Sequence, residues 1–395
     1  MKILVVCQFY YPENFVITNI CENLVKQGND VTVLTGKPNY GYGYILPEYK
    51  KVKYEEINGV KVHRVNLKAR KKSRLSIIRN YLSFWSNSKK WIRNCKENYD
   101  IVYSMSLSPV TILSAGNLYK KKHHVKHVVH CVDLWPESVL VTHAVRKNSL
   151  VYRFLYKWSR DLYKQVDEVI LGSPSFKEYF DNVLKLPELK TTFIPQPSLI
   201  EETDIEPYKY DDGVNILYCG NLGKIQLTEL IPEAMKDIKD SNVKFHIIGM
   251  GPNTSIVEEK IKEYHLENNV IYHGPIPAKK AAAYFKSADA LFVSLKAEGY
   301  VGNTIPNKLV MYMSFAKPII AMLGGDGKKV LEESKGAILV EENPQSLKEG
   351  IEALVQLSKE EKEKLGHNNQ VYFQKHFTID TIGEEINQVL LDELR

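Results

Sequence analysis

The sequence predicts an α/β protein of two domains, each built on a parallel β-sheet that helices cover on both faces. Short apolar segments rich in β-forming residues alternate with helical segments, which is the pattern of strands buried in a parallel sheet. A length of 395 residues is also more than one ordinary domain needs. In the first half we expect strands at 3–6, 31–35, 60–65, 101–104, 128–131 and 169–171. In the second half we expect strands at 216–219, 245–248, 270–272, 290–293, 318–321 and 337–340.

A polar segment with two prolines separates the two series of strands. Residues 193–197 contain both prolines, and the acidic segment 201–212, for which we predict no regular structure, follows them. Prolines within a polar run are typical of a linker. We therefore expect domains at 1–198 and 199–378, with a cleft between them. A terminal helix at 379–395 could cross back to the first domain.

Composition excludes several classes of protein. Hydrophobic residues make up 44% and charged residues 25%, which is typical of a folded globular chain and not of a disordered one. No apolar run approaches the roughly 18 residues of a membrane span, and the first residues read as a strand and not as a signal peptide. Five widely spaced cysteines without a CxxC motif indicate free thiols. We therefore expect a cytoplasmic protein.

The net charge of +6 is concentrated in one segment. Residues 68–96 hold ten Lys or Arg residues and no acidic residue. A nucleic-acid-binding protein usually spreads its cations over a groove, so we expect a docking patch here and no nucleic-acid partner.

In sheets of this kind, ligands bind beyond the carboxyl ends of the strands. In the first domain, the loop 8–15 leads into a helix whose free N–H groups suit a hydroxyl-rich or anionic ligand. Pro12 and Glu13 equally suit an ordinary helix start. Asp133, Trp135 and Glu137 follow another strand, where they could bind sugar hydroxyls or polarise an attacking hydroxyl. Alternatively, these two carboxylates cap a short helix.

Two glycine-containing loops stand out in the second domain. In 219–226 the glycines allow the backbone to approach a ligand and Lys224 could neutralise a phosphate. In 294–308 a polar loop enters a helix beside Lys308, which could serve a diphosphate. A further glycine pair begins at Gly249. Each of these segments is also consistent with a plain turn.

We expect no metal site. The sequence has no Asp-x-Asp pair and no HExxH motif. His123, His124 and His127 lie beside the lysines 120–122, whose charges repel a metal ion, so we expect these histidines to be solvated at the surface.

The basic segment also carries an apolar stripe. Leu75, Ile78, Leu82 and Trp85 recur at helical spacing among the cations, which is typical of a helix that lies in the interface of an anionic membrane. The alternative is a helix that packs this stripe on its own sheet. For membrane contact, the expected residues are Arg70, Lys71, Lys72, Arg74, Trp85, Lys89, Lys90 and Trp91.

Together these motifs resemble the retaining glycosyltransferases of family 4, over nearly the whole chain. The most similar branch contains the amino-sugar transferases of capsule and O-antigen assembly, such as the fucosamine transferases. The segments that carry the resemblance are 11–15, 31–40, 133–138, 220–224 and 305–309.

The resemblance implies a GT-B fold, in which two Rossmann-like domains face each other across a cleft. It implies a nucleotide-sugar donor, expected to be a UDP-sugar, and a lipid-linked saccharide acceptor at the inner face of the cell membrane, with no metal or other cofactor. The implied catalytic residues are Asp133 and Glu137. On the acceptor side, the implied residues are Tyr11, Glu13, Asn14 and Asn39. On the donor side, they are Asn221, Gly223, Lys224, Gly249, Asn303, Thr304, Ile305, Lys308 and Met311.

The resemblance also implies a division of labour among these residues. Lys224 and Lys308 balance the charge that grows on the departing diphosphate. Asp133 lies near the reacting sugar. In a retaining front-face reaction the departing phosphate takes the acceptor proton, so that no dedicated protein base is required.

The chain departs from the family pattern at its ribose contact. Family 4 usually carries two glutamates separated by seven residues, and here those positions are Asn303 and Met311. A methionine cannot accept the ribose hydrogen bonds, at a cost of roughly 1.5–3 kcal/mol in donor binding. An alternative function is therefore an impaired transferase-like subunit that binds lipid or supports a partner enzyme. A third is a sugar-nucleotide epimerase, which has little use for the basic helix.

Overall fold

The structure is a computed structural model in which the chain forms two compact units. One unit comprises Met1–Leu199 together with Ile379–Arg395, and the other comprises Ile200–Thr378. The residues that the structure describes are 1–71, 73–141, 145–198, 205–238 and 241–395.

The first unit contains an eight-stranded sheet with the order β3-β4-β2-β1-β5-β6-β7-β8. Every neighbouring pair is parallel except β3 and β4, which are antiparallel. Its strands are β1 (Lys2–Val6), β2 (Asp30–Gly36), β3 (Tyr54–Ile57), β4 (Val60–Val65), β5 (Ile101–Ser106), β6 (Lys126–Cys131), β7 (Glu168–Leu171) and β8 (Lys190–Phe193).

The second unit contains a six-stranded parallel sheet with the order β11-β10-β9-β12-β13-β14. Its strands are β9 (Val214–Cys219), β10 (Val243–Ile248), β11 (Val270–Gly274), β12 (Ala290–Ser294), β13 (Ile319–Met322) and β14 (Ala337–Leu339).

Helices follow most of these strands, as the predicted α/β alternation requires. They are α1 (Ile17–Lys26), α2 (Arg74–Asn94), α3 (Leu113–His123), α4 (Glu137–Val141), α5 (Leu150–Tyr163), α6 (Phe176–Glu178), α7 (Leu230–Met235), α8 (Thr254–Glu263), α9 (Ala278–Ser287), α10 (Gly299–Gly302), α11 (Asn307–Met313), α12 (Gly325–Ser334), α13 (Pro344–Gln356), α14 (Lys359–His376) and α15 (Ile379–Asp392).

The prediction of two parallel-sheet α/β domains is confirmed, and the strands expected from apolar runs are all present. Two edge strands, β3 and β8, were not predicted from the sequence. Both are partly exposed and carry polar side chains, so neither produces a continuous apolar run. The antiparallel β3 pairs Tyr54 with His63 and Ile57 with Val60, which makes the first sheet mixed.

We expected no regular structure at 201–212, and the part that the structure describes, 205–212, agrees with this expectation. Residues 205–212 form no helix or strand, but they are held against the rest of the second unit. The backbone N–H of Tyr208 donates to the Ala283 carbonyl at 3.0 Å, and its ring stacks on Tyr284 with centroids 3.9 Å apart. Tyrosine packing therefore orders this acidic segment.

The last helix, α15, belongs to the first unit. Ile382, Ile386 and Leu390 are fully buried in the same apolar cluster as β1 and α1. The Asn23 amide donates to the Asp380 carboxylate at 2.7 Å and fixes the start of this helix. Burying three branched apolar side chains stabilises such a contact by about 1.5–3 kcal/mol each.

Candidate functional site

The strand orders place a topological switch point in each sheet. In the second sheet, connections run in opposite directions from the adjacent strands β9 and β12, and in the first sheet they do so from β1 and β5. Ligands of open α/β sheets bind outside the carboxyl ends of such strands. The loops that follow these four strands contain most of the residues expected to form the sites.

In the second unit, the loops after β9 and β10 pack backbone against backbone. The Leu222 N–H donates to the Met250 carbonyl at 3.1 Å. A Cβ atom at Gly249 would overlap the Gly220 carbonyl, and one at Gly251 would overlap the Leu222 carbonyl. The glycines are needed because these loops approach so closely, and they leave backbone exposed at the end of the sheet.

Lys308 reaches this place from α11. Its ammonium donates to the Tyr218 hydroxyl at 2.6 Å and lies 3.9 Å from the centroid of the Tyr218 ring. A Cβ atom at Gly220 would lie 2.5 Å from Lys308 Cε. The lysine head group is therefore held between an aromatic ring and a glycine backbone.

The charge of Lys308 is not balanced by the protein around it. Among the residues that the structure describes, none has a carboxylate within 4.0 Å of the Lys308 ammonium. Burial lowers the pKa of Lys308 to about 7, because a charged amine loses hydration there. A bound anion would supply the missing counter-charge, so this lysine suits a phosphate or diphosphate.

The loop after β9 also contains the predicted residues Asn221, Gly223 and Lys224. Asn221 and Lys224 are exposed, whereas Gly223 is buried. The Asn221 amide approaches the Gln226 side-chain oxygen at 3.5 Å. Gln226 was not singled out from the sequence, and neither was Tyr218, because a glutamine in a loop and a tyrosine in a strand carry no pattern of their own.

The segment 303–311 is only partly available to a ligand. Asn303 and Thr304 are half-buried, and their side chains bond to carbonyls of the preceding turn, Gly299 and Val301. The side chain of Ile305 is buried in the apolar cluster of the unit, so that a donor could contact this residue only through its backbone. Met311 is partly buried and packs against the same cluster.

In the first unit, Asp133 faces the loop after β5. Its carboxylate accepts hydrogen bonds from the backbone N–H and the hydroxyl of Ser108. Burial raises the pKa of Asp133, and the Ser108 bonds oppose that rise by favouring the ionised form. Glu137 begins α4, and its Oε1 accepts a hydrogen bond from the Tyr152 hydroxyl at 2.6 Å. The Asp133 carboxylate is thus hydrogen-bonded to the loop after β5, a partner that the helix-capping alternative did not include.

Glu13 anchors the loop that follows β2. Its Oε1 accepts the backbone N–H of Asn39 at 2.6 Å and that of Tyr40 at 2.5 Å. Burial raises the pKa of Glu13, and these backbone donors oppose the rise. Tyr11 and Asn14, on the same loop as Glu13, are exposed. The structure therefore brings Glu13 and Asn39 together. Glu13 positions the loop that contains Asn39 and Tyr40.

Arg70 lies with these residues and not on the helix surface where we expected a membrane contact. Its backbone N–H donates to the Asn39 side-chain oxygen at 2.9 Å. The guanidinium contacts the Tyr81 hydroxyl and lies 5.1 Å from the centroid of the Tyr40 ring. Burial raises the pKa of Tyr81, and the charge and hydrogen bond of Arg70 oppose that rise. Arg70 and Tyr81 thus form one polar cluster with the Asn39 loop.

The basic helix α2 packs on the first unit with a face other than its apolar stripe. The buried residues are Asn80, Phe84, Ser88 and Ile92. Asn80 donates to the Asn39 side chain at 3.0 Å and to the Lys68 carbonyl at 2.6 Å, while it accepts from Gln8 at 2.6 Å. The inner face of α2 is therefore held both by these hydrogen bonds to the loops after β1, β2 and β4 and by the burial of Phe84 and Ile92.

The apolar stripe of α2 points outward. Leu75, Ile78 and Leu82 are exposed, so the alternative in which this stripe packs on its own sheet is wrong for these three residues. Trp85 is half-buried with the Lys89 ammonium 4.3 Å from its ring centroid. Lys71, Arg74 and Lys90 are exposed. Lys72 lies outside the described residues.

Trp91 is an exception among the expected membrane contacts. It is half-buried, and its ring lies 5.0 Å from that of His63 on β4. It therefore packs towards the sheet.

The expectation of three solvated histidines is wrong for His127. This residue is fully buried, and its ring nitrogens lie 2.8 Å from the Ser104 hydroxyl and 2.8 Å from the Asn117 side-chain oxygen. Burial lowers the pKa of His127 to about 3. Among the described residues, no group of three or more His, Cys, Asp and Glu side chains could hold a metal ion. No helix in the described part of the chain is long and apolar enough to span a membrane.

Comparison with protein families gives a match in each unit. Residues 14–197 match the model described as "Glycosyltransferase Family 4", and residues 213–357 match the one described as "Glycosyl transferases group 1".

Three curated proteins with glycosyltransferase names are similar in sequence. The uncharacterized glycosyltransferase MJ1178 of Methanocaldococcus jannaschii is 25% identical over 95% of this chain and 94% of its own length. The probable glycosyltransferase WbjE of Pseudomonas aeruginosa is 23% identical, over 60% of each chain. The putative colanic acid biosynthesis glycosyltransferase WcaL of Escherichia coli is 25% identical over 51% of this chain and 48% of that protein.

A solved structure with the same fold is Anabaena HepE in complex with UDP. It is 16% identical to this chain and superposes with a TM-score of 0.71, over 99% of this chain and all of its own. The two units of this chain therefore have the architecture expected from the motifs at their strand ends.

Proposed function

Because the chain belongs to the family 4 glycosyltransferases and has the GT-B fold, we propose that it transfers a hexose or N-acetylhexosamine-type sugar from a nucleotide-sugar to a lipid-linked saccharide. The donor is a UDP-sugar, and the pathway is the synthesis of a surface polysaccharide such as a capsule or O-antigen. The UDP bound to HepE is consistent with the first assignment, and the name of WcaL, which refers to colanic acid biosynthesis, is consistent with the second.

The observation that carries the proposal is the position of the Lys308 ammonium, which is partly withdrawn from water against Tyr218 and Gly220. It lies at the switch point of the second sheet without a carboxylate partner among the described residues, and burial lowers its pKa to about 7. A donor diphosphate would balance this charge. Lys224 is exposed on the adjacent loop and would meet the outer phosphate.

The reaction proceeds with retention and without a metal. The bond between the sugar C1 and the phosphate oxygen breaks, while the acceptor hydroxyl oxygen bonds to C1. The acceptor proton passes to the departing phosphate oxygen, and a nucleoside diphosphate leaves. Lys308 and Lys224 stabilise the charge that develops on that diphosphate, which is where preorganised cations contribute most to such a reaction.

The first unit binds the acceptor. Asp133, fixed by Ser108, accepts a hydrogen bond from a sugar hydroxyl, and Arg70 with Tyr81 offers donors from the cluster at the Asn39 loop. The exposed stripe of α2 keeps the enzyme at the inner face of the cell membrane, where lipid-linked acceptors are found.

A second candidate function is favoured by one residue. Met311 stands where the family usually has a glutamate for the donor ribose, and it packs against apolar neighbours. A subunit that has lost donor binding and supports a partner transferase would explain this substitution. The retained Lys308, Lys224, Asp133 and Glu137 favour the enzyme.

A thermal-shift panel tests the proposed function. UDP, GDP, CDP, ADP and their common sugar conjugates are added to the natural protein and to Lys308→Met. A ligand at about 100 times its dissociation constant stabilises the folded state by roughly 2.7 kcal/mol. We expect the UDP series to stabilise the natural protein and not the variant. Lys317→Met is the control, because Lys317 is another lysine whose pKa burial lowers in the same unit. If no nucleotide binds, the enzyme assignment fails in favour of the subunit.

A further inference from the structure

Helix α5 carries an exposed apolar face that the sequence motifs did not single out. Leu150 is 82% exposed and Phe154 is 62% exposed, and Val151 beside them is exposed as well. Three large apolar side chains at the start of one helix are costly to leave in water. Another surface is therefore expected to cover them.

This face continues the exposed stripe of α2. The rings of Trp85 on α2 and Trp158 on α5 meet edge to face, with centroids 6.0 Å apart. Phe154, one turn before Trp158, lies 5.8 Å from it by ring centroids. The contact between Trp85 and Trp158 therefore joins the stripe 75–82 of α2 to the face 150–154 of α5. We call the two together the α2–α5 surface; its members are Leu75, Ile78, Leu82, Trp85, Leu150, Val151, Phe154 and Trp158.

The charges around the α2–α5 surface have one sign. No acidic residue occurs in 68–96 or in 138–160. Exposed cations flank both helices, and they are Lys71, Arg74, Arg79, Lys90, Arg146, Lys147, Arg153 and Lys157. Apolar side chains ringed by cations complement an anionic lipid surface, since the rings enter the headgroup boundary and the cations meet the phosphates. A protein partner would need an acidic rim of the same extent.

The inner side of α5 holds the loop on which the candidate catalytic residues lie. The Ser159 hydroxyl donates to the Trp135 carbonyl at 2.7 Å, and the Tyr152 hydroxyl donates to Glu137 at 2.6 Å. The Trp135 and Trp158 rings are 6.4 Å apart by their centroids. Helix α5 thus presents an apolar face to the outside, and its inner face positions the 133–137 loop.

We propose that the α2–α5 surface binds the headgroup region of an anionic bilayer, with α5 as a second inserting helix beside α2. In this position α5 sets the 133–137 loop at the membrane, where the sugar of a lipid-linked acceptor is located. Membrane binding is inferred from the α2–α5 surface alone. That this binding brings the 133–137 loop to a lipid-linked acceptor rests on the proposed function.

The test is co-sedimentation of the full chain with phosphatidylcholine vesicles, with and without phosphatidylglycerol. We expect binding to the anionic vesicles that weakens with salt, and little binding to the neutral ones. The double variant Leu150→Gln/Phe154→Ser should lower partitioning by about tenfold or more, because both side chains lose their apolar burial. Val371→Gln is the matched control, since Val371 is an exposed apolar residue on α14 of the other unit.

Three results would overturn the proposal. The natural chain could fail to bind anionic vesicles, the double variant could bind them as well as the natural chain, or the surface could instead pair two copies of the chain. The last result would be a dimer by size-exclusion chromatography that the double variant abolishes, without vesicle binding. Circular dichroism melts of the variants establish that they fold, which we expect because the altered side chains are exposed.

Nucleotide-sugar binding by the same variants separates this inference from the proposed function. A chain that binds vesicles through α5 but binds no nucleotide-sugar refutes the transferase and retains the membrane surface. A chain that binds nucleotide-sugar and no vesicle refutes the membrane surface and retains the transferase.

Discussion

The ammonium of Lys308 donates to the hydroxyl of Tyr218 at 2.6 Å, in a place where burial lowers the pKa of the lysine to about 7. An amine on α11 and a phenol on β9 are thereby joined at the carboxyl edge of the second sheet. The protein keeps a cation there at a cost in hydration, and an anionic ligand would recover part of that cost.

Donor binding should weaken as the pH rises through the pKa of Lys308. Below about pH 7 the ammonium is charged before the ligand arrives, whereas at higher pH binding must first take up a proton. We expect the affinity for a UDP-sugar to be about tenfold or more greater near pH 6 than near pH 9, by isothermal titration calorimetry. Lys308→Met should bind weakly and show no such dependence. An unchanged pH profile in that variant would assign the titration to another group.

Met311→Glu should strengthen donor binding. A carboxylate at this position can accept hydrogen bonds from ribose hydroxyls, which are worth roughly 1.5–3 kcal/mol or one to two decades in affinity. Met311→Leu keeps the apolar contact with the cluster and serves as the control. Dissociation constants from calorimetry decide the matter, and equal affinities for the two variants would show that the ribose does not reach this helix.

Gly220→Ala should abolish donor binding while leaving the protein folded. The new Cβ would lie 2.5 Å from Lys308 Cε, at a backbone φ of 154°, so the lysine head group must move. Gly274→Ala is the control in the same unit, because Gly274 also has a positive φ but has open space around its Cβ position. Both variants lose some stability to backbone strain, about 1 kcal/mol. Thermal shift with UDP should distinguish them, and equal shifts would contradict the role of the glycine.

Asp133→Asn should slow transfer without weakening the donor. The amide retains the size of the side chain but removes the charge that strengthens the hydrogen bond to a sugar hydroxyl, so we expect a loss of roughly 10- to 100-fold in transfer rate. Asp167→Asn is the control, since Asp167 pairs with Lys120 in the same unit. Rates are compared with labelled donor at saturation. If the variant lost donor affinity and kept its transfer rate, Asp133 would contact the donor and not the acceptor.

Asn80→Ala should destabilise the first unit by about 2–3 kcal/mol. The truncation removes the hydrogen bonds that Asn80 makes with Gln8, Asn39 and the Lys68 carbonyl in a buried place. On the same helix, Asn87 makes one exposed hydrogen bond, to the Asn66 carbonyl, and Asn87→Ala should cost less than about 1 kcal/mol. Urea unfolding measures both, and similar midpoints would mean that the polar network does not hold α2 in place.

The central strands were predictable because burial on both faces demands continuous apolar runs. The edge strands β3 and β8 were not, since their outer faces contact water and their sequences remain polar. The exposed apolar face of α5 was not predictable either, because its residues have the pattern of an ordinary amphipathic helix. Periodicity identifies a stripe but does not say which side of the helix meets the sheet.

Residues of the candidate site were predictable where they follow strands, and their partners were not. Tyr218 meets Lys308 only because β9 and α11 are brought side by side, 90 residues apart in sequence. Arg70 was grouped with the cations of α2 on the basis of proximity in the chain, but its hydrogen bond to Asn39 draws it to the acceptor cluster. Such contacts depend on tertiary register, which single-sequence motifs do not contain.

The most direct test of the proposed function is sugar transfer itself. The protein is incubated with labelled nucleotide-sugars and lipid extracted from the membranes of cells that carry it, and the label in the lipid fraction is counted. We predict label from one UDP-sugar, formed with release of UDP and lost in Lys308→Met. If every donor leaves the lipid unlabelled although the natural protein binds a nucleotide, the chain is not the transferase that we propose.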